Sequence, residues 1–167
     1  QMAGRLPRNA SPIEVIISHI GGRGDGIAKA LYTYNYSEAE HDVFVPASLP
    51  GERLLGQPLS LTSQGIKARI IELYTPSPDR HSPRCDAFPA CGGCRFQHWD
   101  ETEISNWKSA LVANFLDRAK IKAGTIRPLY SSPLKSRRRA SFYLKCIADR
   151  AIVGFREHMG QHIVNPD

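Results

Sequence analysis

Residues 52–62, ERLLGQPLSLT, and residues 66–74, IKARIIELY, are two β-type runs separated by a short segment that ends in glycine. Three similar runs precede them, IEVIIS (13–18), GIAKALY (26–32) and DVFVP (42–46). Each alternates in polarity or is rich in β-branched residues, and glycine or proline punctuates the series. Five strands of this length predict a small closed barrel of the oligonucleotide-binding type over residues 11–75, after a tail formed by residues 1–10.

The composition fits a globular chain. Of 167 residues, 41% are hydrophobic and 23% are charged, which argues against disorder and allows one large domain or two small ones. The apolar run VIISHI (15–20) is far too short to span a bilayer. We therefore expect a cytoplasmic protein, a compartment in which thiols stay reduced.

The positive charge is concentrated in one part of the chain. Between residues 118 and 150 there are ten basic side chains and a single acid, Asp149, for a local net charge of +9 in a chain whose total is +6. Such a block favours an anionic partner, and nucleic acid is the leading candidate. The alternative is a solvated basic face. The residues predicted to contact RNA are Arg137, Arg138, Arg139, Lys135 and Lys145.

Residues 84–99, RCDAFPACGGCRFQHW, contain three of the four cysteines with the spacing C-x5-C-x2-C. Clustered thiols in a reducing compartment indicate a metal site more than a disulfide. Gly92 and Gly93 would let backbone N–H groups approach sulfur. Three interpretations remain open on spacing alone: an iron–sulfur cluster with one iron unclaimed, a Cys3His zinc site that includes His98, and metal-free buried cysteines.

A helix follows the cysteine segment. Asp100 is placed to cap its start, and Ile104, Trp107, Leu111 and Phe115 fall on one helical face. We predict that Trp107 and Phe115 are core residues. Residues 76–120 thus comprise a proline-rich linker, the cysteine loop and this helix. Residues 121–167 return to strand patterns, so the chain is expected to be mainly β with one or two helices.

The string CDAFPACGGCRFQHW (85–99), preceded by PSPDRHSPR (76–84) and FVPASLPGERL (44–54), resembles the iron–sulfur-containing RNA uridine C5-methyltransferases. That family has a barrel called the TRAM domain, then a C-x5-C-G-G-C-x2-Q-H segment, then a β-rich central region. The resemblance implies that Cys85, Cys91 and Cys94 are ligands of a 4Fe-4S cluster and that His98 is not. One departure is Ser136, which stands where the family has a tyrosine.

The resemblance also implies what lies outside these residues. The fourth cluster ligand is expected just beyond Asp167, because HIVNPD (162–167) resembles the stretch that precedes it in the family. S-adenosylmethionine would bind a C-terminal catalytic domain that these 167 residues do not include. No catalytic residue is therefore assigned, and Cys146 is predicted to be a packed strand residue.

The sequence accordingly predicts the N-terminal, RNA-recognising part of an RNA (uracil-5-)-methyltransferase that acts on tRNA or rRNA. The chain would be monomeric, free of membrane and inactive alone. The alternative is a stand-alone RNA-binding module with a Cys3His zinc site.

Overall fold

The computed structural model describes residues 4–7, 9–134 and 136–165. It divides into two compact units, one ending at Arg80 and the other beginning at His81. The first unit contains the strands β1 (Gly4–Arg5), β2 (Ile13–Ile16), β3 (His19–Ile20), β4 (Gly26–Tyr34), β5 (Ser37–Val45), β6 (Arg53–Thr62) and β7 (Gly65–Thr75). The second contains the helix α1 (Glu101–Arg118) and the strands β8 (Tyr143–Ile147), β9 (Arg150–Arg156) and β10 (Ile163–Val164). The prediction of a mainly β fold with one or two helices is confirmed, with one helix among the described residues.

The strands of the first unit form one closed sheet. Its order is β1-β6-β7-β5-β4-β3, and β2 pairs with β6. Because β2 pairs with β6 while β3 pairs with β4, the stretch 13–20 joins the two ends of the sheet. All pairings are antiparallel except the short contact between β5 and β7. Each of the five predicted runs contributes a strand, and closure leaves few free edges.

The interior of this barrel follows from the period-two pattern of its strands. In β2 the side chains of Ile13 and Val15 point inward, whereas those of Glu14 and Ile16 are exposed. Buried side chains from five strands and the segment after β2 complete the core: Ile13, Val15, Ile17, Ala28, Val43, Val45, Leu54, Ile66 and Ala68.

A buried carboxylate anchors the linker to the barrel. Glu52 is wholly buried and accepts hydrogen bonds from the backbone N–H groups of Leu49 (2.8 Å) and Ser77 (3.1 Å). Arg80 forms a two-pronged ion pair with it, with N–O distances of 2.5 and 2.8 Å, and also donates to the carbonyl of Ala47. Burial by itself raises the pKa of Glu52, but Arg80 and the two N–H groups outweigh it, so the pKa lies below 4.5. Residues 77–80 are therefore fixed to the first unit.

In the second unit, α1 begins where the sequence predicted. The Asp100 side chain caps it by accepting from the N–H groups of Thr102 (2.8 Å) and Glu103 (3.2 Å). The prediction that Phe115 is a core residue is wrong for the described structure, because its side chain is 72% exposed. No helix in the described part of the chain is long and apolar enough to cross a membrane.

The strands β8, β9 and β10 form an antiparallel sheet in the order β10-β9-β8. Strand patterns were expected over residues 121–167, but the first strand there starts at Tyr143, and the described residues from 121 to 142 form no helix or strand. The arginines at 137–139 thus precede the sheet as an exposed irregular segment.

Candidate metal loop and nucleic-acid interface

The cysteine loop, residues 84–98, lies along the end of β9. Cys91 forms an isolated antiparallel bridge with Glu157. The N–H of Gly92 donates to the carbonyl of Arg156 (2.8 Å), and the N–H of His158 donates to the carbonyl of Ala90 (2.7 Å). The loop therefore continues the sheet beside β9. Sequence reasoning did not find this contact, because the partners lie more than 60 positions apart and neither segment carries a pairing signal.

Two glycines make this approach possible. A Cβ on Gly92 would lie 2.7 Å from the carbonyl oxygen of Arg156, closer than side-chain carbons approach backbone oxygen. Gly93 lies against the ring of Phe155 on β9, and its N–H donates to Cys91 Sγ at 3.4 Å. The prediction that a glycine brings a backbone N–H to sulfur is confirmed at this position.

The three thiols differ in their surroundings. Cys91 is buried, Cys85 is half-buried and Cys94 is exposed. Three thiols are the right type of ligand for a metal that prefers sulfur. Their positions do not form such a site, since no three His, Cys, Asp or Glu side chains among the described residues are arranged to hold a metal ion. His98 is buried and its ring stacks on Phe88 with centroids 5.3 Å apart. The arrangement therefore supplies donor atoms on one loop without a formed coordination shell.

An aromatic cluster fixes the loop to α1. The ring of Phe96 meets Trp107 of the helix with centroids 5.2 Å apart, and Trp99 lies 5.9 Å from both. Edge-on and tilted rings of this kind stabilise a fold beyond the area they bury. Trp107 thus packs in this cluster, but it is half-buried and is not the core residue that the sequence predicted.

The predicted RNA-contacting residues occupy two places. Arg137, Arg138 and Arg139 are exposed in the irregular segment before β8, and Lys145 is exposed on β8. Lys135 lies outside the described residues. Cys146, expected to be packed, is also exposed on β8.

The two faces of the β8–β10 sheet differ sharply in chemistry. Strand pairing sets Tyr143 opposite Gly154 and Lys145 opposite Ile152, and paired residues share a face. One face, here called the basic face, carries Tyr143, Lys145, Ile147, Arg150, Ile152, Arg156 and Ile163. The other, the apolar face, carries Leu144, Cys146, Ala151, Val153, Phe155 and Val164. Of the residues on the basic face, the sequence predicted an RNA contact only for Lys145. It did not show that Arg150 and Arg156 share this face.

The hairpin of β4 and β5 ends in a tip that carries three tyrosines, Tyr32, Tyr34 and Tyr36. Asn35 and Tyr36 form its turn with positive φ, and the Tyr36 side chain is fully exposed. Tyr32 is half-buried against the barrel core, and burial raises its pKa above 10.0. Of the three tyrosines, Tyr36 is thus the most accessible and Tyr32 belongs to packing.

Comparisons with curated proteins find relatives that are named RNA methyltransferases. It is 30% identical over 152 residues to an uncharacterized RNA methyltransferase of Brucella suis biovar 1, covering 91% of this chain and 33% of the relative. It is 30% identical over 167 residues to the 23S rRNA (uracil(1939)-C(5))-methyltransferase of Alkalilimnicola ehrlichii, covering 98% and 35%. A protein of the same name from Stenotrophomonas maltophilia is 30% identical over 151 residues, covering 88% and 33%. The chain thus spans about one third of the length of these relatives. No protein-family model matches it.

Proposed function

We propose that the chain belongs to the RNA methyltransferases with which it aligns, and that it is the RNA-recognising part of an S-adenosylmethionine-dependent RNA (uracil-C5) methyltransferase. The observation that carries this proposal is the alignment with named RNA methyltransferases over nine-tenths of the chain. The relatives from Alkalilimnicola and Stenotrophomonas are named for uracil in 23S rRNA, so ribosomal RNA is the proposed substrate.

The charge distribution supports an RNA-binding role. The exposed arginines at 137–139 precede a sheet whose basic face carries further cations, and none of these arginines has an acidic partner among the described contacts. Phosphate contacts from such side chains supply sequence-independent affinity and position the RNA. We propose that the chain acts in the cytoplasm as a monomer.

The chemistry of methyl transfer is assigned to the part of the relatives' length that this chain does not cover. Within these 167 residues no side chain is assigned to attack uracil or remove its proton. Cys146 lies in mid-strand on the apolar face, opposite Ala151, and no titratable base of β8, β9 or β10 shares that face, because the adjacent Lys145 points to the other side of the sheet. We therefore propose that the 167 residues bind RNA without methylating it.

An iron–sulfur cluster on Cys85, Cys91 and Cys94 is part of the proposal, with a fourth ligand just beyond Asp167. The exposed Cys94 and half-buried Cys85 would have to turn toward the buried Cys91. A cluster there would cross-link a loop already held to β9 and α1.

The test is to measure iron, acid-labile sulfide and zinc in anaerobically purified protein, beside a chain about ten residues longer. Stoichiometric iron and sulfide only in the longer chain is the expected result. Zinc without sulfide in both would favour the Cys3His alternative and refute the cluster.

RNA binding is tested by its salt dependence. Replacing Arg137, Arg138 and Arg139 with alanine should weaken binding to all RNA sequences alike. It should also flatten the plot of log affinity against log salt by about 0.7 to 0.9 for each phosphate that the variant no longer neutralises. A matched variant with Lys67, Arg69 and Lys108 changed to alanine removes the same charge from exposed sites elsewhere.

The matched variant should keep most of the slope. Equal slopes for the parent and the arginine variant would refute the assignment of those phosphate contacts. Failure of the parent to bind RNA at low salt would refute the proposed function.

A further inference from the structure

The basic face of the β8–β10 sheet is the strongest unassigned feature of the described structure. Three cations, Lys145, Arg150 and Arg156, project from it, and no acidic residue of these strands shares the face. The opposite face carries only apolar side chains, of which Phe155 packs on Phe142 and against Gly93. Both faces have exposed side chains, including Leu144 (66%) and Val153 (48%) on the apolar face, so it is the charge of the basic face that selects an anionic ligand.

Tyr143 and Arg156 form a cation–π pair on this face. The guanidinium of Arg156 lies over the tyrosine ring, 5.9 Å from its centroid. Across the strand from Tyr143 is Gly154, and the carbonyl group of Val164 and the side chain of Ile163 on β10 occupy the space over that glycine. Tyr143 is the first residue of the edge strand β8 and is 51% exposed. Ring and guanidinium together offer flat surfaces on which a nucleobase can stack.

The spacing of the cations suits a strand of phosphates rather than a single anion. Lys145 is two residues from Tyr143 along β8, about 7 Å by the rise of a strand. Arg150 lies at the far end of the same face, beside the β8–β9 turn. A line of positive charges beside an accessible aromatic ring is the pattern by which sheets bind single-stranded RNA. A protein partner with an acidic surface would use the cations but would leave the ring without a role.

We propose that the basic face binds a single-stranded segment of RNA, with one base stacked on Tyr143 beside Arg156 and the phosphates along Lys145 and Arg150. This proposal rests on the proposed function, because it assumes that the anionic partner is RNA. It adds a base-contacting site to the phosphate contacts assigned to Arg137, Arg138 and Arg139.

The test compares tyrosine variants by fluorescence anisotropy with a labelled 12-nucleotide oligouridine and a blunt RNA hairpin without unpaired bases. Tyr143→Ala should weaken oligouridine binding about 5- to 150-fold, equivalent to roughly 1 to 3 kcal/mol for one stacked base. Tyr143→Phe should bind within about twofold of the parent, and hairpin binding should change little in either variant. Tyr130→Ala is the matched control, since Tyr130 is 84% exposed in the same unit but outside the sheet.

A second variant distinguishes loss of RNA contact from loss of folding. If circular dichroism shows that Tyr143→Ala is unfolded, Tyr143→Leu keeps apolar bulk without a ring and should show the same selective weakening. Photo-cross-linking of 5-iodouridine RNA, mapped by mass spectrometry, should mark Tyr143.

A folded Tyr143→Ala or Tyr143→Leu variant with parental oligouridine affinity, or cross-links only elsewhere, would overturn this proposal while leaving the proposed function standing. It would then point to a protein partner for the face. Absence of any RNA binding by the parent would overturn both.

Discussion

Gly92→Ala tests how the cysteine loop is held to the sheet. The added methyl group would lie 2.7 Å from the carbonyl oxygen of Arg156, and the obstacle is backbone that cannot rotate away. The loop must therefore retreat from β9, which breaks the hydrogen bonds from Gly92 to Arg156 and from His158 to Ala90. At about 0.5 to 1.5 kcal/mol for each bond, the destabilisation is roughly 1 to 3 kcal/mol. Stiffening of the unfolded chain by alanine offsets less than about 1 kcal/mol of it.

The assay is urea unfolding followed by tryptophan fluorescence. The chain has two tryptophans, Trp99 and Trp107, and both lie in the aromatic cluster between the loop and α1, so the signal reports on the second unit. With a urea dependence of about 2 kcal/mol per molar, a loss of about 1 to 3 kcal/mol lowers the midpoint by roughly 0.5 to 1.5 M, less any offset from the stiffer unfolded chain. Gly124→Ala is the control, because nothing lies within 4 Å of the added carbon and its φ is not positive. Equal midpoints for Gly92→Ala, Gly124→Ala and the parent would refute the account of the loop.

Two further predictions concern ionised side chains. The pKa of Glu52 is lowered on folding. Its contribution to the free energy of unfolding is therefore fully present above about pH 4.5 and is lost as the pH falls through the pKa of the folded state. Arg80→Ala, which leaves the carboxylate buried without its cation, should cost about 3 to 5 kcal/mol. Hydrogen exchange of residues 40–75 in Arg80→Ala and Glu52→Gln measures this, and unchanged protection in both would contradict it. The pKa of Asp100 lies below 3.8, mainly because of its hydrogen bond with His81 and, to a smaller extent, because the N–H groups of Glu103 and Thr102 donate to it. The stability of α1 should therefore fall as the pH drops below 3.8. Asp100→Ala should remove this dependence and lower the helical signal in circular dichroism, whereas Asp117→Ala at the other end of α1 should not.

The parts of the fold that the sequence predicted are those governed by local chemistry. The inward positions of Ile13 and Val15 follow from alternation, and the start of α1 follows from the capping side chain of Asp100. Both depend on residues close in the chain. The core assignment of Phe115 failed because helical spacing identifies an apolar face but not whether these residues supply something to cover it.

The candidate site was predictable in composition but not in geometry. The spacing of the cysteines and the basic block were visible in the sequence, as was the need for glycine beside sulfur. The pairing of the loop with Arg156 and His158 was not, because it depends on backbone atoms of distant segments that carry no residue signal. The basic face was missed for a related reason: Lys145 and Arg156 share a face only once the register of β8 and β9 is known.

The central claim is that this chain binds particular nucleotides of an RNA, and does not merely attract RNA of any sequence by its positive charge. Chemical probing of a 23S rRNA transcript with increasing protein tests this most directly. The account predicts protection confined to a limited set of nucleotides that includes an unpaired uridine, weakened by replacement of Arg137, Arg138 and Arg139. Uniform protection along the transcript, or no protection at low salt, would contradict it.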